Sequence, residues 1–351
     1  DIVNDLPHPT TVHWHGVHVP AAMDGAGMPM PAIEPGETFT ATFELTRAGT
    51  FWYHPHLDTA HQVDLGLYGA LIVRDPSEPA VDRELVLVLD AFGEEAAAEH
   101  DPHLVDPTSS RWAVNGVVAP RISLPAGTRV RARLINASNA GIVALQDQRV
   151  IARDQGLLPA VSVEDLLLAP GDRAEVEWDL GESVDVIRLP WTVAGGEAWG
   201  DPSVLLGIDT EGGAAPPPLD WPTRDELSTP DPGRTDLRFL LSGSPELGWE
   251  MNGETFPDVT MPSVDLGEEV VIEVRNVSPA DHPFHLHGHA FEVLSVDGLP
   301  PPVRTVEDTV DVGVRSVVRL LLLADNPGVW MTHCHVLPHA EGGMMTMLEV
   351  R

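Results

Sequence analysis

Ten of the sixteen histidines in this 351-residue chain fall into four short clusters, a pattern typical of metal sites. The clusters are His13 and His15; His54 and His56; His282, His285 and His287; and His333, His335 and His339. On a β-strand, residues two apart share a face, so each His-x-His pair directs two imidazoles into one space. One such pair could be a chance surface feature, but four clusters predict a site for transition-metal ions.

The only cysteine, Cys334, lies between His333 and His335. On a strand, its side chain would point to the face opposite the two imidazoles. We therefore expect this strand to serve two metal sites, one on each face. The alternative interpretation of Cys334 is a buried, inert thiol.

Together with His282 and His339, Cys334 could form the His₂Cys set of a blue-copper electron-transfer centre, with Met344 as the weak axial ligand. Methionines often only fill gaps in a core, and Met345 is adjacent to Met344. The spacing from His339 favours Met344. The sequence therefore predicts an electron-transfer copper on one face of the strand and further metal ions on the other.

The histidine clusters belong to an internal repeat of the chain. The same spacings, from Asn to His and from Gly to His, occur near both ends: Asn4 to His13, Asn276 to His285, Gly49 to His54 and Gly328 to His333. The middle third retains the corresponding Asn136 but has Leu145 and Asp147 where the histidines would be. We therefore expect the same fold three times, with metal ligands only in the first and last copies.

Short segments rich in Val, Leu, Ile and Thr alternate with turn residues, of which there are 31 Gly and 33 Pro, and this predicts an all-β fold. The expected strands include residues 38–45, 83–89, 129–135, 174–178, 270–275 and 316–322. A short helix is expected at residues 94–100. Residues 213–234 are rich in proline, which removes backbone donors, and we interpret them as a linker. The predicted domains are residues 1–75, 76–212 and 235–351.

The composition excludes several classes of protein. All 20 basic residues are arginines, and 54 acidic residues give a formal net charge of −34, so we expect no nucleic-acid binding through phosphate neutralisation. Charged residues interrupt every apolar run before a membrane span is complete, so no membrane partner is expected. One cysteine allows no internal disulfide. The sequence indicates no particular oligomeric state.

The motifs HWHG, FWYHPH, HPFHLHG and HCHVLPHAEGGM, in this order, resemble those of the multicopper oxidases, and the resemblance covers nearly the whole chain. It implies an all-β protein of three consecutive cupredoxin-like Greek-key β-sandwich domains, with a trinuclear copper cluster between the first and third. In that pattern Asp1 begins in a middle strand of the first sandwich. We therefore expect the first domain to lack its N-terminal strands, which another segment or a subunit would cover.

The resemblance also implies four copper ions, each with its own ligands. These are type 1 copper at His282, Cys334, His339 and Met344; type 2 copper at His13 and His285; and a type 3 pair at His15, His54, His56, His287, His333 and His335. Asp308 matches a DTV element of the family and is expected to be structural. In the implied arrangement, Cys334 binds type 1 copper while its two neighbours in sequence bind the type 3 pair, so Cys334 links the type 1 site to the cluster.

Reduction of dioxygen to water consumes protons, which a positioned carboxylic acid can supply. By resemblance, Asp24 is the candidate near type 2 copper; the alternative is an Asp that forms a turn before Gly25. Several bacterial members of the family have a second Glu at the position of Ala340, where this chain has Glu341 one residue later. Either Glu341 substitutes for it or the proton route differs.

The resemblance implies a laccase-like oxidase that takes single electrons from phenols or aromatic amines and reduces dioxygen to two waters. One alternative is a metallo-oxidase of Cu(I), Fe(II) or Mn(II), although Ser278 and Ala280 stand where cuprous oxidases have Asp and Met. The acidic charge would attract cations, which favours that alternative. Another alternative is a non-catalytic copper-binding cupredoxin scaffold. The family implies a periplasmic or secreted location.

Overall fold

The computed structural model describes residues 1–26, 31–92, 111–189, 191–192, 198–199, 201–222, 230–231 and 233–351. The fold is nearly all β, with 49% strand and 5% helix, which confirms the predicted class. The helix expected at residues 94–100 lies outside the described residues, as do residues 223–229 and 232 of the predicted linker.

Residues 1–75, the N-terminal segment, contain two small antiparallel sheets. The first pairs Ile2–Val3 with Thr38–Phe39. The second has three strands in the order His13–His15, Gly49–His54 and Gly69–Val73. Its central strand is buried at five of its six residues and carries Phe51 and Trp52, so the two strands that carry histidines are fixed by a packed core.

Residues 76–212, the middle segment, form a ten-stranded sheet and a two-stranded ribbon. Along the sheet the strands run Val117–Val118, Arg111–Val114, Arg83–Phe92, Arg129–Asn136, Arg173–Asp179, Val143–Arg153, Val184–Leu189, Ser203–Asp209 and Arg121–Ser123. Gly156–Leu168 pairs with Val143–Arg153 as a hairpin. The ribbon joins Trp191–Thr192 to Ala198–Trp199. One hydrophobic cluster, centred on residues such as Leu134, Leu145 and Val176, fills this segment.

Residues 235–351, the C-terminal segment, form two sheets that enclose a single hydrophobic core containing Phe284, Trp330 and Cys334. One sheet has the order Gly248–Met251, Leu237–Ser244, Glu269–Asn276, Val317–Leu323, Phe291–Val296 and Val306–Glu307. The other has the order Ser263–Val264, Met345–Val350, Gly328–Cys334, His282–Leu286 and Thr309–Val312. The second sheet therefore holds the C-terminal histidine motifs on adjacent strands.

The helices of the described residues are all short. They are a 3₁₀ turn at Ala21–Met23 and α-helices at Thr59–Asp64 and Leu337–Glu341. Pro338 lies in the first turn of the last helix, where a missing backbone N–H costs nothing. Within the residues that the structure covers, no helix is long and apolar enough to cross a membrane.

Five of the six strands named from the sequence are confirmed, with ends shifted by three residues or fewer. The exception is the strand expected at residues 38–45, which is limited to Thr38–Phe39. No sheet of the described residues pairs strands from two of the three segments. The exact division into domains stays a prediction.

The repeated asparagine performs the same structural task three times. Asn4, Asn136 and Asn276 each accept a hydrogen bond at Oδ1 from the backbone N–H two residues later, at 2.9, 3.1 and 2.9 Å. Each also donates from Nδ2 to backbone carbonyl groups of neighbouring segments, at least two in each case. All three are buried. The asparagine thus fixes a turn that follows or begins a strand, whether or not histidines follow it.

Candidate metal centre

Three elements of the C-terminal segment bring His282, Cys334 and His339 together. His282 begins the strand His282–Leu286, Cys334 ends the strand Gly328–Cys334, and His339 lies in the helix Leu337–Glu341. Sγ of Cys334 lies 3.3 Å from Nδ1 of His282 and 3.7 Å from Nδ1 of His339. The two Nδ1 atoms are 3.1 Å apart. Two imidazoles and one thiol therefore converge on one buried point.

Hydrogen bonds orient His282 for metal binding. The hydroxyl of Ser278 donates to the carbonyl of Ala280 at 3.1 Å and lies 2.6 Å from Nε2 of His282, so the imidazole N–H donates to the hydroxyl oxygen. That leaves the lone pair of Nδ1 directed toward Cys334. Such an outer hydrogen bond fixes which nitrogen can bind a metal.

Met344 and Cys334 belong to the same buried hydrophobic core, and the Cys334 N–H donates to the Met344 carbonyl at 3.1 Å. Met345 packs instead in a separate cluster with Met331 and Met347. Met344, and not Met345, therefore lies in the same core as Cys334; its role as the axial ligand stays a prediction. Burial raises the pKa of the Cys334 thiol far above its ordinary value, so the thiolate requires a compensating cation such as a bound metal.

Trp249, which sequence analysis did not identify, covers this set of ligands. Its indole centroid lies 3.9 Å from that of His339 and 5.3 Å, edge to face, from that of His282. Trp249 is itself buried. The strand Gly248–Met251 is distant in sequence from both histidines, so no local spacing could have revealed the contact.

The other eight clustered histidines meet where the N-terminal and C-terminal segments pack together. In one sheet His13 pairs with His54 across adjacent strands, and in the other His285 pairs with His333. Seven of the eight are fully buried, and His56 is partly buried. The eight are His13, His15, His54, His56, His285, His287, His333 and His335.

His13 and His285, the predicted type 2 ligands, face each other with their Nε2 atoms 3.5 Å apart. Each donates its Nδ1–H to a backbone carbonyl at 2.9 Å, His13 to Asp24 and His285 to Asp308. Both donors fix the tautomer, so the two Nε2 lone pairs point toward a common position between the segments.

His56, His287 and His333 form a second convergent group. Nε2 of His333 lies 3.3 Å from Nε2 of His56 and 3.1 Å from Nε2 of His287. The opposite nitrogen of His333 donates to the Cys334 carbonyl at 2.8 Å. Three nitrogen lone pairs at such distances repel one another, and a shared cation would remove that repulsion.

His15, His54 and His335 carry the remaining ring nitrogens of the cluster. Nδ1 of His15, Nε2 of His54 and Nε2 of His335 are buried and have no hydrogen-bond partner among the described residues. The ring centroids lie 4.9 to 5.7 Å apart. Buried polar atoms without partners are costly in a folded protein, and three such atoms in one cluster fit a bound metal ion.

The protonation state of the cluster also suits copper. Burial, followed by repulsion from neighbouring imidazoles, lowers the pKa of most of these histidines well below the ordinary value, and burial lowers that of His333 to about 4. The imidazoles with a lowered pKa are therefore neutral near pH 7, which is the form that binds metal. Neutral imidazole with one thiolate and one thioether is a donor set that copper prefers.

The structure brings Asp24 to the cluster but does not bring Glu341 there. Oδ2 of Asp24 accepts a hydrogen bond from Nδ1 of His287 at 2.8 Å, and Oδ1 lies 3.3 Å from Nδ1 of His13. Glu341 is exposed and accepts a hydrogen bond from the Ala60 N–H at 3.0 Å. It therefore stabilises the first turn of the helix Thr59–Asp64 rather than a cluster histidine.

Asp308, expected to be structural, lies directly against the cluster. Its Oδ1 accepts a hydrogen bond from Nε2 of His15 at 3.0 Å, and it is completely buried. Arg173 and Asp154 of the middle segment contact Asp308 in turn. Sequence analysis missed both residues because the middle segment lacks the repeated His-x-His motifs, and nothing in its local pattern indicates which of its residues reach the cluster.

The fold and the site together define a class of protein, the all-β metal-dependent oxidoreductases. In this one, Cys334 of the His₂Cys set is adjacent in sequence to two members of a cluster of eight histidines. Multicopper oxidase family profiles match residues 1–78 and 228–351. Multicopper oxidase MmcO of Mycobacterium tuberculosis is 30% identical over 99% of this chain and 78% of its own length. The chain belongs to the multicopper oxidases, which are copper-dependent oxidoreductases that use dioxygen and reduced substrates.

Two further similar proteins differ from each other in the activity that their names give. Laccase-4 of Thanatephorus cucumeris is 28% identical over 96% of this chain and 78% of its own length. The solved structure of a multicopper oxidase from Campylobacter jejuni, described as a metallo-oxidase, is 26% identical and superposes with a TM-score of 0.81 over 99% of this chain and 81% of that one. The cupredoxin-like β-sandwich architecture of these structures is therefore that of this chain.

Proposed function

We propose that this protein is a laccase-like oxidase that couples four one-electron oxidations of a phenol or aromatic amine to reduction of dioxygen to two waters. One observation carries the proposal. Cys334 belongs to the buried His₂Cys set, while its neighbours in sequence, His333 and His335, belong to the eight-histidine cluster. A covalent path of three residues therefore joins an electron-accepting set to a cluster suited to dioxygen.

The proposed ligands are those that the family resemblance implies. His282, Cys334, His339 and Met344 would hold one copper ion, His13 and His285 a second, and the six other cluster histidines a third and a fourth. Bound copper would supply the cycling between Cu(II) and Cu(I) that moves electrons singly from donor to dioxygen. The chain itself orients the imidazoles, keeps them neutral and excludes water around Cys334.

Asp24 is the proposed proton donor. Its carboxyl group is buried, contacts His287 at 2.8 Å and lies 3.3 Å from His13, so it can hold a proton beside the position where dioxygen would be reduced. The turn-forming alternative for Asp24 does not account for its two imidazole contacts. Glu341 has no role in this mechanism, because its carboxylate accepts a hydrogen bond from the Ala60 N–H at the surface.

The residues that surround the His₂Cys set support an organic donor. Ser278 stands where cuprous oxidases have an acidic residue, and its hydroxyl is buried and hydrogen-bonded to His282. It therefore offers no carboxylate to a substrate cation. Oxidation of Cu(I), Fe(II) or Mn(II) is the second candidate, favoured by the net charge of −34, which attracts cations to the surface.

Oxygen consumption by copper-loaded protein tests the proposal. We expect strong visible absorption from the Cys334 thiolate and oxygen uptake with 2,6-dimethoxyphenol that exceeds the uptake with Fe(II) or Cu(I), with no hydrogen peroxide released. Oxygen uptake by the copper-loaded protein with Fe(II) or Cu(I) but not with the phenol would support the metallo-oxidase. Colour without oxygen uptake from any donor would indicate a copper-binding scaffold and would overturn both oxidase candidates.

We also propose a periplasmic or secreted location, which the resemblance to multicopper oxidases supports. Fractionation of cells that express the full native gene, followed by detection with an antibody to this chain, tests it. Recovery of the protein with the cytosolic fraction would contradict the proposal.

A further inference from the structure

We infer that the middle segment, which contributes none of the proposed copper ligands, forms one wall of the trinuclear site and positions its ligands through Asp308. Arg173 and Gly171 are the residues responsible. Arg173 is a positioning residue that holds Asp308, and Gly171 leaves space for His15 and His335. The inference rests on the proposed function, since it concerns the same cluster.

Asp308 is the contact point between the middle segment and the histidines. Its carboxylate accepts from Nε2 of His15 at 3.0 Å, and its backbone carbonyl accepts from Nδ1 of His285 at 2.9 Å. One residue therefore fixes the tautomer of a proposed type 3 ligand and of a proposed type 2 ligand. With Nε2 of His15 donating to Asp308, only Nδ1 of His15 is left to bind metal, and that atom is buried without a partner among the described residues.

Arg173 holds the Asp308 carboxylate by a two-point ion pair. Nη1 donates to Oδ1 at 2.6 Å and Nη2 donates to Oδ2 at 2.5 Å. Nε of the same guanidinium donates to the Thr50 carbonyl at 3.0 Å, on the strand that leads to His54. Arg173 and Asp308 are both completely buried. The planar guanidinium, with its two parallel hydrogen bonds, thus fixes the orientation of the Asp308 carboxylate and also compensates its negative charge.

Asp154, also of the middle segment, accepts hydrogen bonds from both Arg173 and Asp308. Its Oδ1 accepts from the backbone N–H of Arg173 at 2.8 Å, and its Oδ2 accepts from the N–H groups of Asp308 and Thr309 at 3.2 Å. Backbone and side chain of Asp308 are therefore both tied to the middle segment. The arginine neutralises a carboxylate that would otherwise be an unpaired buried charge beside the cluster.

Gly171 brings the backbone of the middle segment against two imidazoles. A Cβ atom at this position would lie 2.9 Å from Cδ2 of His335 and 3.1 Å from Cε1 of His15, and the residue has φ +90°. Any side chain would displace one or both rings. Glycine is thus required here by close approach as well as by backbone conformation.

Paired variants of two glycines separate steric contact from backbone strain. Gly171→Ala adds a methyl group against His15 and His335, whereas Gly116→Ala, in the same segment with φ +77°, adds one where no atom of the described residues lies within 4 Å. Both change a left-handed glycine and cost similar backbone strain. We expect Gly171→Ala to lower the copper content and the type 3 near-ultraviolet absorption, and Gly116→Ala to leave both unchanged.

Two buried arginines provide the second pair. Arg173→Met removes the ion-pair partner of Asp308; Arg133→Met removes an equally buried arginine that binds Glu175, Glu84 and Thr50 but none of the histidines that the structure describes. We expect Arg173→Met to weaken retention of trinuclear copper by about 10–100-fold and to alter the type 2 electron paramagnetic resonance spectrum. Arg173→Lys, which keeps the charge but loses the two parallel hydrogen bonds, should recover part of that loss.

The visible band of the Cys334 site reports folding in every variant, because that site touches neither Arg173 nor Gly171. If the wild-type protein lacks this band, the proposed function fails whatever the variants do. If wild type has it, and Gly171→Ala and Arg173→Met both keep full copper content and unaltered type 2 and type 3 spectra, the middle segment does not position the cluster. A loss in Arg133→Met equal to that in Arg173→Met would also overturn the inference.

Discussion

Sγ of Cys334 lies 3.3 Å from Nδ1 of His282, although 52 residues separate them in the chain. Antiparallel pairing of Phe284 with Cys334 sets this proximity, because it places the ends of two strands side by side. The same pairing sets His285 opposite His333. One strand register therefore positions residues of both the His₂Cys set and the eight-histidine cluster.

Cys334→Ser should abolish the visible absorption and the oxidation of donors while the other three coppers remain bound. Serine retains the size of cysteine, but its hydroxyl does not supply the soft anionic ligand that the site requires. Absorption spectroscopy and copper analysis check the outcome. Retention of the blue colour in this variant would show that Cys334 is an inert thiol.

Asp24→Asn should slow the reoxidation of the reduced enzyme by dioxygen by about 10–100-fold, which is the usual cost of altering a residue that orients metal ligands. The amide cannot supply the proton that a carboxyl group supplies. Reduction of the type 1 site by donor should be unchanged, and stopped-flow absorption separates the two steps. Glu341→Gln is the matched control, since Glu341 is exposed and contacts Ala60; an equal effect in both variants would exclude a special role for Asp24.

Residue spacing was enough to predict that the clustered histidines meet. The assignment of ligands to individual copper ions, which the family resemblance implies, stays a prediction. Only His13 and His15 lie within one strand, whereas the second histidine of each other pair, His56, His287 or His335, lies one or two residues beyond the strand end. The pairs from both ends of the chain nevertheless meet in one buried volume. The strand positions also followed from turn residues and alternation, except after Phe39, where residues 40–45 extend without pairing within the described chain. Local pattern therefore predicts secondary structure where a partner strand exists.

The contacts that sequence analysis missed all come from distant segments. Trp249 reaches His339 from another sheet, and Arg173 reaches Asp308 from the middle segment. Glu341 is close in sequence to His339, yet its carboxylate contacts a different helix, because consecutive residues of a helix point in different directions. Close spacing in the sequence thus predicts which histidines come together. It does not predict the residues from other segments that contact them.

Trp249→Ala should raise kcat/KM for bulky phenolic donors, because the indole lies against the His339 ring, with the ring centroids 3.9 Å apart, and its removal would open space beside that ring. Loss of a buried tryptophan should also lower the free energy of unfolding by about 3–5 kcal/mol. Steady-state oxygen uptake and urea unfolding measure the two effects. Trp178→Ala, a buried tryptophan of the middle segment, should cost similar stability without changing donor kinetics. Unchanged kcat/KM in Trp249→Ala would contradict a shielding role.

Asp311→Asn should make the stability of the copper-free protein less dependent on pH. Burial, reinforced by repulsion from Asp281, raises the pKa of the Asp311 carboxyl to about 8, and its Oδ1 has no hydrogen-bond partner among the described residues. In the unfolded chain the same group titrates near 4.

Between these values the folded protein binds the additional proton, so the contribution of Asp311 to stability is complete at low pH and is lost as pH rises toward 8. The loss for one group is at most about 1.4 kcal/mol per pH unit. Asparagine has nearly the same shape and does not titrate, so wild type and Asp311→Asn should be closest in stability at pH 4, with the variant gaining steadily up to pH 8. Urea unfolding of both proteins across this range measures the difference; parallel curves would show that Asp311 is ionised in the folded protein at neutral pH.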